Sequence, residues 1–147
     1  MLFNKKQIYF DNAATTPVDE KVVKAMVPYY AEKYGNASSQ HLLGQEAKRV
    51  IEESRSVIAK SIGAKHDEIV FTGSGTEANN FLLKGLYFYN KNKETGKNHI
   101  ITTKIEHDCV LNACKWLEKQ GAKVTYLDVD EEGFVDMNGL RIILEIQ

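Results

Sequence analysis

The stretch Glu68-Ile69-Val70-Phe71-Thr72-Gly73-Ser74-Gly75-Thr76-Glu77-Ala78-Asn79-Asn80 decides the architecture. Its apolar run, glycine turn and polar continuation predict a short buried strand, a tight connection and the start of a helix. That geometry aims several backbone N–H groups and a helix N-terminus at one small anion, and phosphate is the natural guest. Thr76 adds a hydroxyl donor, while Glu77, Asn79 and Asn80 suit a first helical turn. Equally, Gly73 and Gly75 could do no more than tighten a strand-to-helix connection, and their spacing alone leaves both readings open.

Downstream, His99-Ile100-Ile101-Thr102-Thr103 and Lys123-Val124-Thr125-Tyr126-Leu127 are further strand candidates, apolar enough for a buried parallel sheet. Between them Val110, Leu111, Cys114 and Leu117 mark one face of a helix from Asp108 to Gln120, closed by Gly121. A preceding helix carries Ala78, Phe81, Leu82, Leu86 and Tyr89 to about Asn90, followed by a polar linker from Lys91 to Asn98. The alternation from residue 68 to 127 predicts α/β architecture, an open sheet built from βαβ crossovers.

Upstream, Gln7-Ile8-Tyr9-Phe10 is strand-like and runs into the small polar loop Asp11-Asn12-Ala13-Ala14-Thr15-Thr16-Pro17. Val22, Val23, Met26, Tyr30 and Tyr34 recur at helical spacing, with Pro28 forcing a kink or split. Gly35-Asn36-Ala37-Ser38-Ser39 breaks that pattern, either as a plain connector or as a loop across an active-site mouth. An amphipathic helix spans about Leu43 to Ile62 and ends at Gly63. Residues 1–66 thus form an N-terminal arm with helices, and 67–147 begin a larger sheet domain.

With 147 residues, 43% of them hydrophobic and 27% charged, the composition is globular. The 19 basic and 20 acidic residues leave a formal charge of -1, which gives no footprint for nucleic acid. No stretch approaches the roughly 18 apolar residues of a membrane span, and Met1 to Lys6 has no secretory core, so a cytoplasmic protein is expected. Two cysteines, Cys109 and Cys114, have no partners at metal-ligand spacing and are expected to be free packing thiols.

Several other chemical readings are weaker. Gly73 to Ala78 fits the loose dinucleotide pattern, with Glu94 as the ribose ligand, but two helices precede the turn and Glu94 lies in a linker. Asp128 to Gly133 resembles the opening of a calcium loop, yet its twelfth position is Gly139 instead of a bidentate glutamate, so no metal site is expected. His107 and Cys109 are too close in sequence to face one another readily as a dyad. His107 alone, at the carboxyl edge of the sheet beside Gly75 and Thr76, could lie over a ring whose phosphate the turn holds.

Four motifs in register, Asp11 to Pro17, Gly35 to His41, Phe71 to Asn80 and Glu106 to Leu111, resemble the N-terminal third of NifS/IscS-type cysteine desulfurases. These are class V aminotransferase-like enzymes of pyridoxal phosphate fold type I. The resemblance implies that Gly75 and Thr76 hold the cofactor phosphate and that His107 stacks on the pyridine ring as a catalytic residue. Asn12, Ala13 and Asn36 would belong to loops beside the substrate, L-cysteine, whose sulfur goes to iron–sulfur cluster assembly or thiolation. The family often carries Ser-Gly-Ala-Thr where this chain has Gly73-Ser74-Gly75-Thr76.

The same resemblance implies a Schiff-base lysine after a histidine, an aspartate on the pyridine nitrogen and a mobile persulfide cysteine, all later in the family. None has a counterpart here, and Ile142, Ile143, Leu144 and Ile146 expect apolar partners. A truncated or split enzyme is therefore expected, binding pyridoxal phosphate weakly or not at all and inactive alone, and completed by a complementary chain within a homodimeric family. A non-catalytic remnant or interaction module is the alternative, and a small dinucleotide-binding protein using Gly73 to Ala78 ranks last.

Overall fold

The structure, a computed structural model, describes residues 8–145. It divides into two compact units, residues 1–70 and 71–147.

In the first unit α1 (Glu20–Met26) starts at Asp19, whose carboxylate accepts the Lys21 N–H at 2.7 Å. Pro28 ends that helix and opens α2 (Pro28–Ala31) at its first position, where its missing N–H costs nothing. The split expected from Pro28 is therefore present. Helix α3 (Leu42–Ser61) follows, and Gly63 leaves it with φ +68°, the left-handed conformation glycine adopts without strain.

Two predicted strands do not form among the described residues. Ile8 to Phe10 pairs with nothing among the described residues and is exposed, and Gln7 lies outside them. The strand expected at Glu68 to Thr72 is likewise not in a ladder. Glu68 belongs to a short 3₁₀ turn, His66–Glu68, and its carboxylate accepts the Lys65 N–H at 2.7 Å. Ile69 is extended, but its carbonyl accepts from the Arg55 guanidinium of α3, while Val70 and Phe71 stay 58% and 47% exposed. Extended backbone becomes a strand only within a ladder of paired N–H and C=O groups, and residues 69–72 are not part of the β1-β2 ladder.

The second unit contains α4 (Gly75–Asn92), β1 (His99–Thr103), α5 (Asp108–Glu118), β2 (Lys123–Leu127) and α6 (Met137–Glu145). The two strands pair in parallel with His99 opposite Lys123 and Thr103 opposite Leu127, so β1-α5-β2 is a βαβ unit. Its core is Tyr87 of α4, Leu117 of α5 and Ala122, flanked by Leu83, Phe88, Ile100 and Val124. The Tyr87 hydroxyl donates to the Gln120 carbonyl at 2.7 Å, giving its buried polar tip a partner. Gly121 turns α5 back into β2 with φ +97°. Asp128 to Gly133 forms a turn in which the Asp130 carboxylate accepts the Glu132 and Phe134 N–H groups. No helix of the described residues is long and apolar enough to cross a membrane.

Candidate functional site

The turn before α4 is built by its own side chains. Ser74 is the N-cap, and its hydroxyl accepts the Glu77 N–H at 3.1 Å. The Glu77 carboxylate reaches back to accept the Gly73 N–H at 2.6 Å, one residue further than in an ordinary capping box. Two of the turn's donors are thereby satisfied internally. The N–H groups of Gly75 and Thr76, the first two residues of the helix, have no intrahelical acceptor and lie on an exposed face beside the Thr76 hydroxyl. A Cβ placed on Gly75 would meet nothing within 4 Å, so the turn is open on that side. Outward N–H groups, a hydroxyl, a helix dipole and room suit a phosphate.

His107 caps the neighbouring helix. Its Nδ1 accepts the Cys109 N–H at 3.1 Å at the start of α5, so in neutral imidazole the proton sits on Nε2. The loop from β1 to His107 leaves the carboxyl end of the strand, where Lys104 donates its N–H to the Leu127 carbonyl at 3.0 Å.

The two helix starts are tied together. Asn79, one turn beyond Gly75, donates its side-chain N–H to the Cys109 sulfur at 3.2 Å. Tyr87 and Leu117 meet further along the same two helices, again thirty residues apart, so α4 and α5 run side by side in the same direction. Their positive ends therefore lie at one edge of the sheet. Cys114 is a different kind of thiol: it is wholly buried, and burial, with Glu118 and Glu106 adding, pushes it above its ordinary pKa. It is a packing residue, as expected.

The structure brings Gly75, Thr76 and His107 into one unit and leaves Asn12, Ala13 and Asn36 in the other. Asn12 and Ala13 sit in an exposed turn closed by the Ala14 N–H on the Asp11 carbonyl at 3.1 Å. Asn36 accepts the Ser38 N–H at 2.9 Å through its side chain, and its loop lies against the first turn of α3. Glu94 corrects the dinucleotide reading. It stands just past the C-terminal end of α4, about 27 Å along the helix from Gly75 at about 1.5 Å per residue, too far for the ribose of a nucleotide seated on Gly73 to Ala78.

Sequence reasoning missed Asn79 and Cys109 as a contact, since thirty residues separate them and neither belongs to a chemical motif. The Ser74 cap was missed as well, although Ser-x-x-Glu is a helix-start signal that could have found it. A cleft of about 390 Å³ beside Tyr87, Lys91 and Gly121 lies at the far end of α4 and shares no residue with this site.

Comparison with known proteins adds a third line. Residues 8–146 match the aminotransferase class-V family. Over 137 residues the chain is 53% identical to the cysteine desulfurase IscS of Dictyoglomus turgidum, an alignment covering 93% of this chain and 34% of that one. It is 49% identical over 136 residues to IscS of Methanosarcina thermophila, covering 92% and 33% respectively. A solved NifS-like protein superposes with a TM-score of 0.85 at 42% identity, over 94% of this chain and 37% of the other. A structure of SspA in complex with cysteine does so at 0.73 and 43%, over 80% and 33%. The chain thus spans about a third of the length of the curated relatives it matches. The α/β architecture is that of the N-terminal part of the large domain in fold-type I pyridoxal phosphate enzymes.

Proposed function

We propose that this chain, which belongs to the aminotransferase class-V family, carries the phosphate and ring-face half of the cofactor site of a cysteine desulfurase. The observation that supports this most directly is the pairing of two parallel helix starts, one presenting the Gly75 and Thr76 N–H groups and the other His107. Pyridoxal phosphate, when bound, supplies the electron sink that makes bonds at the substrate's α-carbon breakable. The residues here would do the holding. Gly75 and Thr76 take the phosphate through backbone N–H groups and the Thr76 hydroxyl, aided by the α4 dipole. His107 would face the ring, its imidazole oriented by the Cys109 N–H on Nδ1.

L-cysteine as substrate, alanine as product and a persulfide passed to cluster assembly or thiolation complete the reading. Relatives described as cysteine desulfurases and the SspA structure with cysteine support it. Asn12, Ala13 and Asn36 would line the substrate side. The cytoplasm is the proposed location, in keeping with the composition.

The test is a binding titration of the purified chain with pyridoxal phosphate, followed by absorbance and fluorescence, with inorganic phosphate as competitor. Weak but saturable binding is expected, relieved by phosphate and weakened further by Thr76→Val and by His107→Ala. Binding unaffected by phosphate or by either substitution would sink the assignment.

A further inference from the structure

We propose that Asn79 and Cys109 are positioning residues that hold His107 in register with the Gly75–Thr76 cradle. The inference rests on the reading of that cradle as a pyridoxal phosphate site and adds a mechanism for its alignment. Cys109 is bonded in two directions. Its sulfur accepts the Asn79 side-chain N–H of α4 at 3.2 Å, and its backbone N–H donates to His107 Nδ1 at 3.1 Å. A single residue therefore links the helix that presents the phosphate donors to the ring that would cover the pyridine.

The place of this link makes it matter. The apolar contacts between α4 and α5 lie further along: Tyr87 and Leu117 in the core, Phe88 against Trp116 with centroids 6.0 Å apart. Those contacts fix the spacing of the helices about two turns from the site. At the site end both helix starts are exposed, and Cys109 and Asn79 are only half-buried, so packing there does not define the imidazole's direction. A phosphate needs only the donors of one helix. A phosphate attached to an aromatic ring needs both helix starts at a set separation, because ring and phosphate are joined covalently. The Asn79–Cys109 bond is the contact that sets it.

The consequence separates two ligands. Loss of the bond should weaken pyridoxal phosphate while leaving inorganic phosphate almost untouched, since the latter never reaches His107. Asn79→Leu removes the donor at similar volume, Cys109→Ala removes the acceptor, and Cys109→Ser keeps an oxygen acceptor. We expect the first two to weaken pyridoxal phosphate by about two- to tenfold, the range for one hydrogen bond, with the double variant no worse than either single one. Cys109→Ser should bind as the parent does.

A second readout needs no cofactor. The nitrogen chemical shifts of the His107 ring should report a proton on Nε2 in the parent, and a mixture of tautomers in Asn79→Leu and Cys109→Ala. Should those variants fail to give folded protein by circular dichroism, Asn79→Ala and Cys109→Ser still separate donor loss from acceptor retention. Unchanged ring shifts in both donor-loss and acceptor-loss variants overturn the proposal, as does an equal fall in affinity for both ligands, which would signal general loosening. If the parent chain binds no pyridoxal phosphate, the cofactor reading falls, yet the ring shifts still decide whether Asn79 positions His107.

Discussion

The Glu77 carboxylate accepts the Gly73 N–H at 2.6 Å, closing the turn in front of α4 from inside. Together with the Ser74 hydroxyl on the Glu77 N–H, it leaves Gly75 and Thr76 as the outward donors. The turn is thus shaped by the helix that follows it, before any anion arrives.

Removing the cap should cost stability. Ser74→Ala leaves the Glu77 N–H without its acceptor, for a loss of about 1 kcal/mol by the usual worth of a serine N-cap. Urea unfolding followed at 222 nm measures it, and a midpoint equal to the parent's would contradict the capping role.

Two glycines should respond in opposite directions to the same methyl group. Gly75→Ala places its Cβ in open space at the first residue of α4 and should stabilise by about 0.4–1 kcal/mol through the unfolded chain. Gly44→Ala would put its Cβ 2.4 Å from the Ser39 carbonyl oxygen and 2.6 Å from that of Asn36. Both are backbone atoms that cannot swing aside, so a loss of about 1–3 kcal/mol is expected. Thermal midpoints of the two variants, moving apart around the parent value, are the check.

Leu117 is wholly buried between Tyr87 and Ala122, where α5 meets α4 and the start of β2. Leu117→Ala should cost about 2–5 kcal/mol, the range for a leucine lost from a packed core. Amide exchange should show the loss in β1, α5 and β2. A change below about 1 kcal/mol would mean that the core is not closed around this residue.

His99 gives the second unit a pH dependence. Burial, with the nearby Lys123 charge adding, holds its pKa below the ordinary 6.5, and its Nε2 sits 2.7 Å from the Thr125 hydroxyl across the strand pair. The unfolded chain binds the proton more readily, so unfolding free energy is undiminished above pH 6.5 and falls as pH drops through that value towards the lowered folded pKa. His99→Gln should flatten the profile below about pH 6.5. An unchanged slope in that variant would assign the effect to another group.

Helices were the most legible part of this fold. The period of Ala47, Val50, Ile51 and Ile58, the break at Pro28 and the stop at Gly63 are local signals, and each element formed where its own residues demanded. The pair β1 and β2 was equally plain, since each is a short apolar run between turn residues and one βαβ crossover supplies its partner. Val70 and Phe71 had the composition of a strand, but pairing is a property of the neighbour as well as the segment.

The sequence by itself determined the chemistry on offer: a glycine turn at a helix start, a threonine beside it, and a histidine at the next helix start. These depend on residues a few positions apart, where bond geometry leaves little choice. Only the tertiary structure decided that the two helix starts share one edge and that Asn79 meets Cys109 across thirty residues. Such relations follow from packing Tyr87 against Leu117, a long-range burial that no local pattern encodes.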